Sequence, residues 1–219
     1  MPRIIVFLGP SLERHDAEKM LPAEYRPPAK RGDILRAIED GAAIIGLIDG
    51  VFHQDNAVAH REILTAMKKG VDVIGASSMG ALRAAEMNTL GMVGIGEIYR
   101  MYKTGELESD DEVALVFDPV SGLPLSEPLI NIRFTLIKAE RDGVISSDDH
   151  ATLLTAARSL FYPRRTYRAI VSAAGSAIDQ LTGKRFLEWA DNHACDQKRE
   201  DAVAALGYIR DLLPLGKGK

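Results

Sequence analysis

Two adjacent serines, Ser77 and Ser78, stand where an apolar run gives way to small residues: Val73-Ile74-Gly75-Ala76-Ser77-Ser78-Met79-Gly80-Ala81-Leu82. The run reads as a strand entering a tight turn, with a helix leaving it. With Ser78 central, Ala76-x-Ser78-x-Gly80 is an alanine variant of the nucleophile elbow. Small residues suit such a turn because a sharp strand-to-helix transition crowds the backbone. The serine hydroxyl is then presented above the sheet edge. Backbone N–H groups at the helix start, at Met79 and Gly80, can hold a developing oxyanion. The plainer use of Ser77 or Ser78 is as a helix cap.

A serine hydroxyl is a weak nucleophile until a base takes its proton. The segment Pro27-Pro28-Ala29-Lys30-Arg31-Gly32-Asp33 offers Lys30. Lysine serves as a base only when neutral, which burial and a neighbouring cation such as Arg31 both favour. The prolines stiffen the approach, and Asp33 acts oppositely or caps the next helix. The plainer reading is a solvated Lys-Arg pair before a helix. Asp49, in Leu47-Ile48-Asp49-Gly50-Val51-Phe52-His53-Gln54, ends a second apolar run, where open α/β sheets build their sites. His53 can position substrate or move a proton. His53 and His60 are not at the i, i+4 spacing of a metal pair and no cysteine is near, so no metal ligand is assigned. Arg83 and Glu86, on the helix after Ser78, can orient the site or pair with each other. Gly9-Pro10-Ser11 could meet an anion but lacks the Rossmann and Walker glycine spacings, so no cofactor is assigned. Asp110-Asp111-Glu112 reads as a solvated acidic turn.

The elements that must position these residues alternate. Ile4–Leu8, Ala43–Ile48 and Val71–Ile74 are short β-branched runs bounded by turn residues, and read as buried strands. Helical patterns lie between them, over Asp33–Asp40, from a cap at Asp55 to Lys69, and over Met79–Met87 and Gly96–Lys103. Val113–Phe117 reads as an edge strand, and Ser126 as a cap near Pro128. Beyond about residue 128 the pattern is helical throughout, and Lys184–Leu213 reads as one long helix or two. The fold class is therefore α/β, a mainly parallel sheet covered by helices, with an all-helical C-terminal extension. Residues 1–127 form the expected core and 128–219 a helical extension packed on it.

Composition bounds the remaining choices. A 219-residue chain with 46% hydrophobic residues has enough apolar surface for a sizeable core without staples. The net charge of −4 argues against general nucleic-acid binding. Cys195 is the only cysteine, so no internal disulfide can form. The opening apolar run is too short for a signal-peptide core, and no run has the length of a membrane span. A cytoplasmic location is expected.

Taken together, the strings resemble the TfuA-like family. They are Val6-Phe7-Leu8-Gly9-Pro10-Ser11, the Pro27–Asp33 segment, Gly46-Leu47-Ile48-Asp49-Gly50-Val51-Phe52, His60-Arg61-Glu62-Ile63-Leu64, Gly75–Ala84, Ile98-Tyr99-Arg100 and Ser126-Glu127-Pro128-Leu129. Ala59 departs from the pattern, an aromatic residue being expected there. The resemblance implies an α/β fold that is not a standard doubly wound one. It also implies association with a YcaO-type enzyme, which activates peptide backbone amides, commonly toward thioamides. The implied task is hydrolysis of the thiocarboxylated C-terminus of a small ubiquitin-like sulfur-carrier protein, releasing sulfide. Ser78 matches the serine and Lys30 the lysine of a Ser–Lys pair, with Ser77 a fallback nucleophile. The competing readings are a non-catalytic adaptor that docks the YcaO enzyme with its peptide or sulfur donor, and a small-anion or nucleotide binder using Gly9 and the Gly75–Gly80 turn.

Overall fold

The computed structural model describes residues 2–52, 56–118 and 122–213. The chain divides into two compact units. One comprises residues 1–110 with 198–219, the other residues 111–197. The periodicity of the sequence changes near residue 128, but the last helix rejoins the sheet-bearing unit.

Five parallel strands form that unit's sheet: β1 (Ile4–Phe7), β2 (Glu24–Arg26), β3 (Ile44–Leu47), β4 (Asp72–Ala76) and β5 (Val93–Ile95), in the order β2-β1-β3-β4-β5. This is the flavodoxin-like doubly wound order, which corrects the expectation of a non-standard topology. After β2 the chain crosses to the far side of β1, so a switch point lies between β1 and β3. Loops leaving the carboxyl ends of these two strands flank it, and the Gly9–Ser11 and Asp49–Gly50 segments are those loops.

The central strands β1 and β3, and β4 after Asp72, are apolar on both faces because helices cover both. Side chains alternate, so Ile5 and Phe7 point one way and Ile4 and Val6 the other. The first face packs with Ile45, Leu47 and Val73 against α2 (Asp33–Glu39), α3 (His60–Lys68) and α4 (Met79–Met87). The second packs with Ile44, Ile48 and Ile74 against α1 (Arg14–Met20) and the C-terminal α10 (Gln197–Leu212). Gly46 leaves room on this face: a Cβ there would lie 3.0 Å from Ile209 Cδ1. After β5 comes α5 (Glu97–Thr104).

The other unit holds α6 (Leu129–Arg141), α7 (Ser147–Ser159), α8 (Tyr167–Ala174) and α9 (Gln180–His193) around its own apolar core. Several local expectations change here. Val113–Phe117 forms no strand, only an isolated bridge from Phe117 to Pro124. Ser126 caps no helix; its Oγ accepts the Val116 N–H at 2.9 Å, and Pro128 is the N-cap of α6. The acidic turn is not solvated throughout: Glu112 is buried and takes a two-pronged bond from Arg133 at 2.7 and 2.8 Å. In the sheet unit, α3 starts at His60 and not at Asp55, which lies outside the described residues. Among the described residues no helix is long and apolar enough to cross a membrane.

Candidate functional site

The β4–α4 turn is sharp, and glycines make it possible. A Cβ on Gly80 would lie 1.7 Å from the Leu47 carbonyl oxygen, and one on Gly75 would lie 2.2 Å from the Gly80 oxygen. Only hydrogen fits at either position, so α4 begins pressed against β3 and β4. Gly80 N–H donates to Ile48 O at 3.3 Å. Ser77 is the only non-glycine residue with positive φ among the described residues, at 65°. Ser78 N–H donates to Ala76 O at 2.7 Å across it. The three residues form the rare, strained γ-turn with positive φ.

The two serines therefore play different parts. Ser77 is fully buried, and its Oγ donates to Ser11 Oγ at 2.9 Å. Ser11 Oγ in turn donates to Asp49 Oδ1 at 2.7 Å. Ser78 is the N-cap residue of α4, yet its side chain caps nothing. Among the described residues no buried polar side-chain atom lacks a partner. Ser78 Oγ, which has none there, is thus the part of this 2% exposed residue that touches solvent. Met79 follows as the first helical residue, a position with no intrahelical acceptor. Its N–H has no acceptor among the described residues, so it is free to meet an oxyanion beside Ser78. Gly80, the second expected donor, is committed to Ile48.

Asp49 closes the switch point. Its Oδ2 accepts the N–H groups of Gly9 at 2.8 Å and Ser11 at 3.1 Å, and the residue is 2% exposed. A cation beside a buried carboxylate offsets part of the cost of burying its charge. Lys198, from α10 and itself 2% exposed, sets Nζ 4.0 Å from Asp49 Oδ1. Neither Ser11 nor Lys198 was singled out by its sequence setting as part of a serine site. The signal for Lys198 lies in the phase of α10. Lys198 and Asp201 share the buried stripe of Ala202, Ala205, Leu206 and Ile209, where a charge is anomalous.

Lys30 is brought into the neighbourhood by its backbone. Ala29 N–H donates to Asp49 O at 2.9 Å, and Val51 N–H to Ala29 O at 3.0 Å. A Cβ on Gly50, which bridges to Ala29, would lie 2.8 Å from Met79 Cγ. The loop is pinned further along, where Glu62, buried on α3, accepts the Gly32 N–H at 2.8 Å and the Ala59 N–H at 3.3 Å. The Lys30 side chain itself is exposed. The burial sought for a lysine base is thus not supplied by the described residues. Arg83 turns away from Ser78: its Nε donates to Val58 O at 3.0 Å, and its Nη1 pairs with Glu86 at 2.5 Å. Glu86 also meets His60 Nε2 at 2.8 Å. Of the two roles open to Arg83, the ion pair is what forms. His53 lies outside the described residues. Among the described residues no group of three His, Cys, Asp or Glu side chains is placed to hold a metal.

The sequence model of one family, TfuA-like protein, matches residues 49–166, a little over half of the chain. This chain belongs to the TfuA-like family. The matched stretch opens at Asp49 and contains the Ser77–Ser78 turn, whereas Ser11, Lys30 and Lys198 lie outside it. Membership supports the accessory role that goes with this family. No curated protein matches the chain.

Proposed function

We propose that this TfuA-like protein is a hydrolase-like partner of a YcaO-type enzyme. It releases sulfide from the thiocarboxylated C-terminus of a small sulfur-carrier protein for backbone thioamidation of a peptide. The observation that carries the reading is the strained β4–α4 turn, which leaves Ser78 Oγ unbonded beside the free Met79 N–H. Ser78 Oγ attacks the thiocarboxylate carbon while Lys30 takes its proton. The tetrahedral oxyanion faces the Met79 N–H. As the intermediate collapses, Lys30 returns the proton to the departing sulfur, which leaves as hydrosulfide. Water then attacks the acyl-serine and frees the carboxylate. The sum is one thiocarboxylate and one water converted to one carboxylate and sulfide. Lys30 needs desolvation to act as a base, and a carrier tail lying over this exposed side chain would provide it.

The test is intact-mass detection of a thiocarboxylated carrier incubated with wild type and with Ser78→Ala. Wild type converts it to the carboxylate. Ser78→Ala slows conversion by at least about 10³-fold, as loss of a nucleophile does. Equal rates for the two proteins would sink the assignment.

The adaptor reading has its own supporting observation. Leu123, Leu125, Phe161 and Leu181 of the 111–197 unit are more than half exposed, the kind of apolar surface a partner covers. Full thioamidation by a Lys30→Ala, Ser78→Ala double variant would favour it.

A further inference from the structure

The ammonium of Lys198 is buried in the sheet unit. Lysine side chains ordinarily reach water along their flexible stems, and here 2% of the residue is exposed. Its helix is anchored by a second charged residue of the same buried stripe. Asp201, also buried, accepts the N–H groups of Glu97 at 3.0 Å and Ile98 at 2.8 Å, at the start of α5. Gly96, with φ 96°, makes room for it, since a Cβ there would lie 2.3 Å from Asp201 Cγ. Lys198 is therefore set in place between the sheet and a fixed helix start.

From Lys198 a continuous polar chain leads to the turn. Its Nζ faces Asp49 Oδ1 at 4.0 Å, Asp49 holds Ser11 through both backbone and hydroxyl, and Ser11 Oγ accepts from Ser77 Oγ at 2.9 Å. Ser77 is the residue in the strained conformation. A strained turn persists only where its surroundings over-determine it. The polar chain is what reaches this one from behind.

We infer that Lys198 is a positioning residue: through Asp49 and Ser11 its ammonium holds Ser77, and with it the turn that presents Ser78. The effect on hydrolysis rests on the function proposed above; the effect on the turn does not. With Lys198 removed, Asp49 is a buried charge facing only hydrogen-bond donors, so the Gly9–Ser11 loop opens to hydrate it. With Asp49→Asn added, no charge remains. The amide oxygen can accept the two N–H groups, and its nitrogen can donate to Ser11 Oγ.

The experiment compares wild type, Lys198→Met, Asp49→Asn and the double variant by amide hydrogen exchange and by steady-state sulfide release. In Lys198→Met, exchange at Gly9, Ser11 and Ser78 rises by about tenfold or more while Val6 and Ile45 stay protected, and the double variant reverses most of this. Sulfide release in Lys198→Met shows kcat down by about tenfold with little change in KM, partly recovered in the double variant. Unchanged exchange at the turn in a folded Lys198→Met protein overturns the inference. If Lys198→Met does not fold, a folded double variant supports charge pairing, and an unfolded one overturns it. Absence of sulfide release from wild type counts against the proposed function alone, because exchange still decides the role of Lys198.

Discussion

At the scale of single residues, the two serines show what a sequence can and cannot say about a turn. The small residues from Gly75 to Gly80 announce a sharp strand-to-helix transition. They do not say which serine carries the positive φ, because that depends on where β4 stops pairing and how closely α4 approaches Leu47. In the structure Ser77 takes the strain and the buried bond, and Ser78, itself 2% exposed, keeps its Oγ unbonded. The division predicts an unusual order of stabilities. Ser77→Ala loses the hydrogen bond to Ser11, about 1 kcal/mol, and keeps a Cβ in the left-handed region. Ser77→Gly loses the same bond but relieves the strain, about 1 kcal/mol net of the flexibility glycine adds to the unfolded chain. Urea unfolding should therefore find Ser77→Gly more stable than Ser77→Ala by about 1 kcal/mol. Alanine equal to or above glycine would mean that the turn stores no strain at Ser77.

At the scale of elements, continuous apolar runs were the readable part. The strands expected near residues 4–8, 43–48 and 71–74 form, as do the helices expected at 33–40, 79–87 and 96–103 and, from His60 on, the one ending near Lys69, whereas α1 is not among the expected helices. The three-residue strands β2 and β5 carry too little pattern to stand out, and parallel pairing to β1 and β4 makes them strands. Val113–Phe117 has strand-like residues but acquires only the bridge at Phe117, so propensity without a partner was not enough. The start of α6 poses a different problem. Glu127, just before the Pro128 cap, is partly buried, and that burial, aided by the negative charge of Asp196, raises its carboxyl above the ordinary 4.5. A group whose pKa is raised on folding favours the folded state below its unfolded pKa. That contribution is lost as pH climbs through the folded value. Ionised Glu127 thus weighs against the helical unit near neutrality. Glu127→Gln should raise the melting temperature at pH 7 to 8, with the gain shrinking as pH falls toward about 4.5, the ordinary carboxyl value. A gain that is the same at both ends of that range would point to packing and not to ionisation.

At the scale of the whole molecule, the unit that carries the candidate site is discontinuous in sequence. Residues 1–110 take back 198–219. Nothing in composition marks that return, because α10 looks like one more charged, alanine-rich helix until its buried face is known. On that face Ala202, Leu206 and Ile209 pack with Ile4, Val6, Ile44 and Ile74. Burying a Leu or Ile side chain fully stabilises by about 1.5–3 kcal/mol. Leaving Asp49 without Lys198 strands a buried charge, at a cost of about 3–5 kcal/mol. Together these approach the whole stability of an ordinary domain, about 5–15 kcal/mol. A chain ending at residue 196 should therefore lose the sheet while the four-helix unit, which has its own core of Leu136, Leu153, Ile170 and Phe186, remains folded. Hydrogen exchange would show fast amides at 4–7 and 44–47 and slow ones at 129–141. If the strand amides stayed protected in the truncated chain, α10 would be an appendage to the sheet. Lys198 could not then be what holds the serine turn in place.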